Sequence, residues 1–314
     1  MMPILLTIIG LIGLWIGTRL IINGSLGIAR KFNLSHSFVG IAILAVGTDL
    51  PEVFVSVSAA MNQLNGIESS GIISGNAIGS SISQITIILG IAGLLLNFRI
   101  TRRDLLRDGS ALVTSILMLF VFGIDGIITR LEGAMLLALY SLYYYILVKT
   151  QNDQCNEAET SKIYSNTSLG LFLLIGFPTL IFSSHLVVQN ATLLANKWGV
   201  GQSFIGIAII GLGTSLPELA VSIGAAVRKS GGMSVGNIIG SNIFDGFVPI
   251  GLGGVISKIG VENSFLLFDL PFLLGSTILV LLFLISKRGV SLFEGVIMIL
   301  LFIIYLVLRL FLYG

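Results

Sequence analysis

The sequence predicts an all-α polytopic membrane protein of ten transmembrane helices arranged as two inverted five-helix repeats. Three observations lead there. Of 314 residues, 55% are hydrophobic and 10% charged, and the mean hydropathy is +1.02; no ordinary soluble domain has this composition. Apolar stretches long enough to cross a bilayer fall at 2–30, 38–64, 69–97, 105–124, 130–148, 167–196, 203–228, 232–257, 264–286 and 291–312. Finally, a phrase is written twice. Ser37 to Glu52 reads SFVGIAILAVGTDLPE and Ser203 to Glu218 reads SFIGIAIIGLGTSLPE, identical at eleven of sixteen positions and 166 residues apart.

Taken in order, the first span has no basic leader and no small-residue cleavage site, so Met2 to Ala29 reads as a retained helix. The second span carries the first phrase and the seventh its copy. The third span carries GNAIGSSISQ at 75–84; the eighth carries GNIIGSNIFD at 236–245, identical at six of ten positions with an offset of 161. The first and sixth spans align as well, 23–32 with 189–198. The longest polar stretch, Lys149 to Ser165, divides the chain into a first repeat (1–148), a linker (149–165) and a second repeat (166–314). Five spans are an odd number, so the second repeat enters the membrane the opposite way round. Twelve Lys and Arg, from Arg30 to Arg288, fall in one set of loops, against Arg130, Lys197, Lys258 and Arg309 on the other side. This asymmetry places the linker in the cytoplasm and both termini outside an inner (plasma) membrane.

Other classes of function lack their signatures. There is no basic patch with interleaved aromatics, so nucleic acid is not expected as a partner. The single cysteine, Cys155, excludes an internal disulfide. No P-loop and no HExxH occurs, and GTSLP at 213–217 lacks the closing glycine of a nucleophile elbow. The expectation is a protein that is not an enzyme and has no cofactor.

The chemistry-bearing residues lie in the repeated segments. Pro51 and Pro217 lack an N–H and free the carbonyls of Gly47 and Gly213. Loosened backbone inside a membrane belongs at a cavity or a ligand. Thr48 and Glu52 lie four residues apart, as do Thr214 and Glu218, and each pair falls on one helix face. Asn76, Ser80 and Gln84 make a polar stripe on the third span; Asn237, Ser241 and Asp245 repeat it on the eighth. Gly75/Gly79 and Gly236/Gly240 are pairs that let a neighbouring helix approach closely. A carboxylate in a membrane segment is costly and points to function. The pooled donors are all oxygen, which suits Ca²⁺ or Na⁺ rather than zinc or copper. Blander roles remain open at this stage: back-bonding for the threonines, small-residue packing for Ser80 and Ser241, and interhelical hydrogen bonds for Asn76 and Asn237.

These motifs, GTDLPE at 47–52 with GNAIGS at 75–80 and GTSLPE at 213–218 with GNIIGS at 236–241, resemble the alpha repeats of the sodium/calcium exchanger family in the cation/Ca²⁺ exchanger superfamily. The resemblance covers the whole chain, and the short linker is similar to that of prokaryotic members. It implies an antiporter exchanging Na⁺ for Ca²⁺ by alternating access. It also implies that Glu52, Glu218, Thr48 and Thr214 hold Ca²⁺. Ser80, Ser215 and Ser241, with the carbonyls of Ala45 and Gly211, would contribute to Na⁺ sites, and Gln84 and Asp245 occupy the middle polar pair. Asp49 stands where the family usually has Ser, and Gln84 where Asn is more usual. Asp49 either strengthens cation binding or takes a proton in place of one Na⁺. A Ca²⁺/H⁺ or K⁺-dependent exchanger on the same fold, or a cation channel, is the alternative. One chain suffices to build the site.

Away from the repeats, Asp269 reads as a structural or interfacial carboxylate without a repeat partner. Asp125 reads as a turn residue. Arg19 and His185 align with each other in spans one and six and read as packing or snorkelling groups.

Overall fold

The structure, a computed structural model, describes residues 2–95, 101–151, 165–197, 211–287 and 289–313. Its helices are α1 (Met2–Lys31), α2 (His36–Thr48), α3 (Leu50–Leu64), α4 (Ser70–Leu95), α5 (Arg102–Gly123), α6 (Arg130–Thr150), α7 (Asn166–Lys197), α8 (Gly211–Thr214), α9 (Leu216–Val227), α10 (Gly231–Ile256), α11 (Leu270–Lys287) and α12 (Leu292–Tyr313). Eight of them are long and apolar enough to cross a membrane. A ninth span results when α2 and α3, bent by 41° at their junction, are joined. The expected seventh span is represented by α8 and the apolar, twelve-residue α9. Its beginning, 203–210, lies outside the described residues, as do Cys155 and most of the linker.

α10 is the hub. Residues Met233 to Ile250 are buried without interruption, and α10 packs on α2, α3, α4, α5, α6 and α9. Glycines admit its neighbours at close range. A Cβ at Gly236 would collide with the Ser37 carbonyl, and one at Gly240 with Ile41 and Ala45. The equivalent Gly75 and Gly79 have no described residue within 4 Å of an added Cβ.

α1 and α7 form the longest helix pair. They run antiparallel along a glycine seam: Gly10 meets Val187, Gly17 meets Leu180, Gly24 meets Leu173, Gly27 meets Leu169, and from the other side Gly176 meets Ile21. Without Cβ atoms at the seam the backbones lie close, and dispersion holds the pair where lipid supplies no hydrophobic drive.

The two halves also share devices that the sequence reading did not pick out. Thr129 and Glu132 form a capping box at the start of α6: the Thr129 N–H donates to Glu132 Oε2 at 2.7 Å, and the Glu132 N–H donates to Thr129 Oγ1 at 3.4 Å. Ser291 and Glu294 do the same at α12, at 2.7 and 3.5 Å. Each box satisfies two N–H groups that the first helical turn leaves open. A two-residue antiparallel ladder, Ile127 with Gly260 and Ile128 with Ile259, ties the loop before α6 to the loop after α10.

Asp269 does have a repeat partner. It accepts from Tyr305 Oη at 3.0 Å and pairs with Arg309 Nε at 3.2 Å. Asp108, 161 positions earlier, accepts from Tyr143 Oη at 3.0 Å and pairs with Arg107 Nε at 2.6 Å. Arginine identity hides the match, because Arg107 adjoins its aspartate whereas Arg309 comes from another helix. The remaining outlying groups have local roles. Arg19 lies over the Trp15 ring at 4.6 Å, His185 shares a hydrogen bond with Gln189 at 2.7 Å, and exposed Asp125 accepts the Ile127 N–H at 3.2 Å.

Candidate cation site

Both proline breaks sit where the phrase placed them. The chain leaves helical geometry at Asp49 (φ −84°, ψ 4°) and again at Ser215 (φ −88°, ψ 11°), the residues just before α3 and α9. Pro51 and Pro217 then occupy the first turn of the new helix, where a missing N–H costs nothing. Glu52 and Glu218 lie in those same first turns, where the positive end of the helix dipole favours a carboxylate. The one position that distinguishes the two copies of GTxLPE, Asp49 against Ser215, is therefore the residue at the break itself.

Carboxylate oxygens of Asp49, Glu52 and Glu218 come within 4.8 Å of one another, and all three residues are fully buried. They come from both halves of the chain. Among the described residues, neither oxygen of Asp49, neither oxygen of Glu218, and not Glu52 Oε2 has a hydrogen-bond partner. The remaining oxygen, Glu52 Oε1, accepts from Ser80 Oγ at 3.4 Å. Ser80 Oγ also shares a hydrogen bond with Thr214 Oγ1 at 3.3 Å, so α4 of the first half joins the broken helix of the second. Ser215 and Ser241 are fully buried with unpartnered hydroxyls.

Some predicted ligands are already engaged. Thr48 Oγ1 donates to the carbonyls of Leu44 at 3.1 Å and Ala45 at 3.3 Å, and the Ala45 carbonyl also accepts the Asp49 N–H at 3.0 Å. Back-bonding therefore holds Thr48 here. Gly211 opens the four-residue α8. Gln84 and Asp245 meet directly: Gln84 Nε2 donates to Asp245 Oδ2 at 3.2 Å, and Asn242 Nδ2 donates to Gln84 Oε1 at 2.9 Å. Asp245 Oδ1 is left without a partner. Gln84 opens a π-helical turn, Gln84–Ile88, and another, Gly40–Ala45, lies on the approach to the first break; such turns interrupt regular helix pairing at functional positions.

The asparagines brace the site from outside. Asn76 Nδ2 donates to the main-chain carbonyl of Glu52 at 3.3 Å, and Asn237 Nδ2 to that of Glu218 at 3.4 Å and to Ser222 Oγ at 3.0 Å. They hold the turn that carries each glutamate. Ser184, on α7, was not singled out from sequence; its Oγ donates at 3.2 Å to the Gly213 carbonyl that Pro217 frees. A lone serine in an apolar helix carries no local signal for such a role. Its position one turn from a proline break becomes visible only once α7 is packed on α8.

Buried carboxylates without cationic partners among the described residues, hydroxyls and interrupted helices inside an apolar bundle mark an integral membrane protein with an oxygen-rich cluster of the kind that suits cations. The chain belongs to the sodium/calcium exchanger protein family, whose model matches residues 2–149 and 168–311. Among its relatives, the uncharacterized membrane protein MJ0091 of Methanocaldococcus jannaschii is 33% identical over 256 residues, covering 82% of each chain. The sodium/calcium exchanger MaX1 of Methanosarcina acetivorans is 26% identical over 344 residues, covering 96% of this chain and 97% of its own. A solved structure of the sodium–calcium exchanger NCX_Mj, soaked with 2.5 mM Na⁺ and 10 mM Sr²⁺, superposes with a TM-score of 0.82 at 30% identity, covering 98% of both chains.

Proposed function

We propose that this protein exchanges Na⁺ for Ca²⁺ across the membrane by alternating access, at a central site built from both halves. The observation that carries the reading is the trio Asp49, Glu52 and Glu218, buried, with five of its six carboxylate oxygens lacking a hydrogen-bond partner among the described residues. Family membership and the likeness to NCX_Mj support the choice of ions. Glu52 and Glu218 bind Ca²⁺ together with Thr48 and Thr214. Thr48 does so through an oxygen lone pair that its back-bond leaves available. Ser80, Ser215, Ser241, Asp245 and Gln84, with the carbonyls of Ala45 and Gly211, serve the Na⁺ load. The two loads compete because one set of carboxylates is neutralised by either.

The proposed architecture is ten spans in two inverted halves, 1–148 and 166–314, with the linker cytoplasmic and both termini outside. The paired capping boxes and the paired Asp–Tyr contacts support the duplication beyond the motifs. α1 and α7, bound to each other along the glycine seam, are the gating pair.

The test is ⁴⁵Ca²⁺ uptake into proteoliposomes under imposed Na⁺, K⁺ or H⁺ gradients. Uptake driven by Na⁺ and lost in Glu52→Gln and Glu218→Gln supports the reading; uptake that survives both substitutions overturns it. Asp49 favours a second reading of the coupling ion, with H⁺ replacing one Na⁺, because both its oxygens are buried and open to a ligand. Uptake that responds to the H⁺ gradient in the unsubstituted protein but not in Asp49→Ser would establish that reading.

A further inference from the structure

The α1–α7 pair is symmetric within itself and asymmetric on the core. Gly10 meets Val187 and Ile21 meets Gly176; the 166-residue offset converts each contact into the other. Against the core this symmetry fails. α7 covers both breaks, with Phe177 on Gly47 and Val188 on Gly213, whereas α1 is seated farther along α9, with Thr18 against Gly224.

The polar groups follow the same division. Ser184 Oγ caps the Gly213 carbonyl that Pro217 frees. The residues 166 positions before Ser184 and Gly213 are Thr18 and Gly47, and Pro51 frees the Gly47 carbonyl in the same way. Thr18 is 8% exposed, yet its Oγ1 has no hydrogen-bond partner among the described residues. A helical threonine ordinarily bonds the carbonyl four residues back, as Thr7 and Thr179 do. A buried hydroxyl without a partner is costly, and here the repeat names the acceptor it lacks.

We propose that Ser184 and Thr18 are alternate latches: Ser184 caps the Gly213 carbonyl in the conformation of this structure, and Thr18 caps the Gly47 carbonyl in the opposite-facing one. The inference rests on the alternating-access reading. Exchanging the contacts of the two halves sets the stroke. Thr18 now faces Gly224, 206 positions ahead; the exchanged form of the Phe177–Gly47 contact puts Leu11 on Gly213, 202 positions ahead. α1 thus moves four residues along α9, roughly 6 Å at the α-helical rise. The same exchange moves α7 four residues along α3, from Phe177 on Gly47 to Ser184 on Ser58, in the same direction. The glycine seam carries the two helices together. Neither hydroxyl belongs to the cation cluster; they are positioning residues that bias a two-state equilibrium in opposite senses.

The test places spin labels at Phe32→Cys and Val227→Cys, both exposed, in a Cys155→Ser background in proteoliposomes, where the slide is read as two distance populations. Loss of one hydrogen bond shifts such an equilibrium about fivefold. Ser184→Ala should therefore raise the population of the opposite state about fivefold, and Thr18→Val should lower it by a similar factor. Combining them should restore the original balance, and Ser184→Thr, which keeps the donor, should leave it unchanged. Shifts of the same sign, or none, with Na⁺-driven Ca²⁺ uptake intact would overturn the latch alone. A single, ion-independent distance in the unsubstituted protein would overturn alternating access and the latch together.

Discussion

Two groups of carboxylates lie buried among these helices, and they are treated in opposite ways. At the periphery, Asp108 and Asp269 each hold an arginine and a tyrosine hydroxyl. At the centre, Asp49, Glu52, Glu218 and Asp245 meet hydroxyls and an amide but, among the described residues, pair with no cationic side chain, and each keeps at least one oxygen without a partner. A fixed counter-charge makes a buried acid a structural clamp. Leaving the counter-charge out suits the proposed site, where a transported cation would balance the charge. The contrast separates structure from transport without reference to any ligand.

The largest break in that contrast comes from neutralising the centre. Glu52→Gln and Glu218→Gln should each lower Na⁺-driven Ca²⁺ uptake by roughly 100-fold or more, the cost of removing one partner from a buried charge pair, while leaving unfolding midpoints in detergent unchanged or higher. Next comes the periphery, where the signs reverse. Asp269→Asn removes the ion-pair partner of half-buried Arg309, which keeps Ser264 Oγ and the Tyr313 ring, and should cost about 2 kcal/mol of stability, lowering the unfolding midpoint while transport per folded molecule stays within about twofold. Asp269→Asn with Arg309→Leu should recover part of the loss, because both charges of the pair are removed together. Asp49→Ser sharpens the comparison from inside the central group. It should weaken half-saturation by Ca²⁺ by about tenfold, the equivalent of one charge-assisted contact; an unchanged value would place Asp49 with the structural acids. The smallest effects belong to the capping boxes. Thr129→Ala and Ser291→Ala should each cost about 1 kcal/mol, seen as matching small drops in the unfolding midpoint with transport rates intact.

The central group was legible in sequence because its signals are local. Pro51 and Pro217 announce a break within a single turn, and Glu52 and Glu218 announce a charge where none is affordable. The periphery was not legible. In the sequence Asp108 sits in a charged segment with Arg102, Arg103 and Arg107, which hides its likeness to Asp269 although the same 161-residue offset relates the third and eighth spans. The capping boxes, T-x-x-E at 129–132 and S-x-x-E at 291–294, carry a readable signature that apolar-span counting passes over. The π-helical turns at 40–45 and 84–88 have none, since they arise from how α2 and α4 pack on α10 and α12. Thr48 adds a detail that spacing does not carry: the break at Asp49 lies between it and Glu52, and its hydroxyl donates back to its own helix, which leaves only an oxygen lone pair for a ligand.

The missing counter-charge at the centre also governs the protein when it carries nothing. Anionic carboxylates cannot be sealed from water without several kcal/mol of penalty for each. On the alternating-access reading proposed above, an unloaded molecule is expected to stay open toward the compartment into which it last discharged, its helices crossing over only with a cation or proton aboard. Idle turnover would then be suppressed, and the ion gradient that drives transport would not drain through empty carriers.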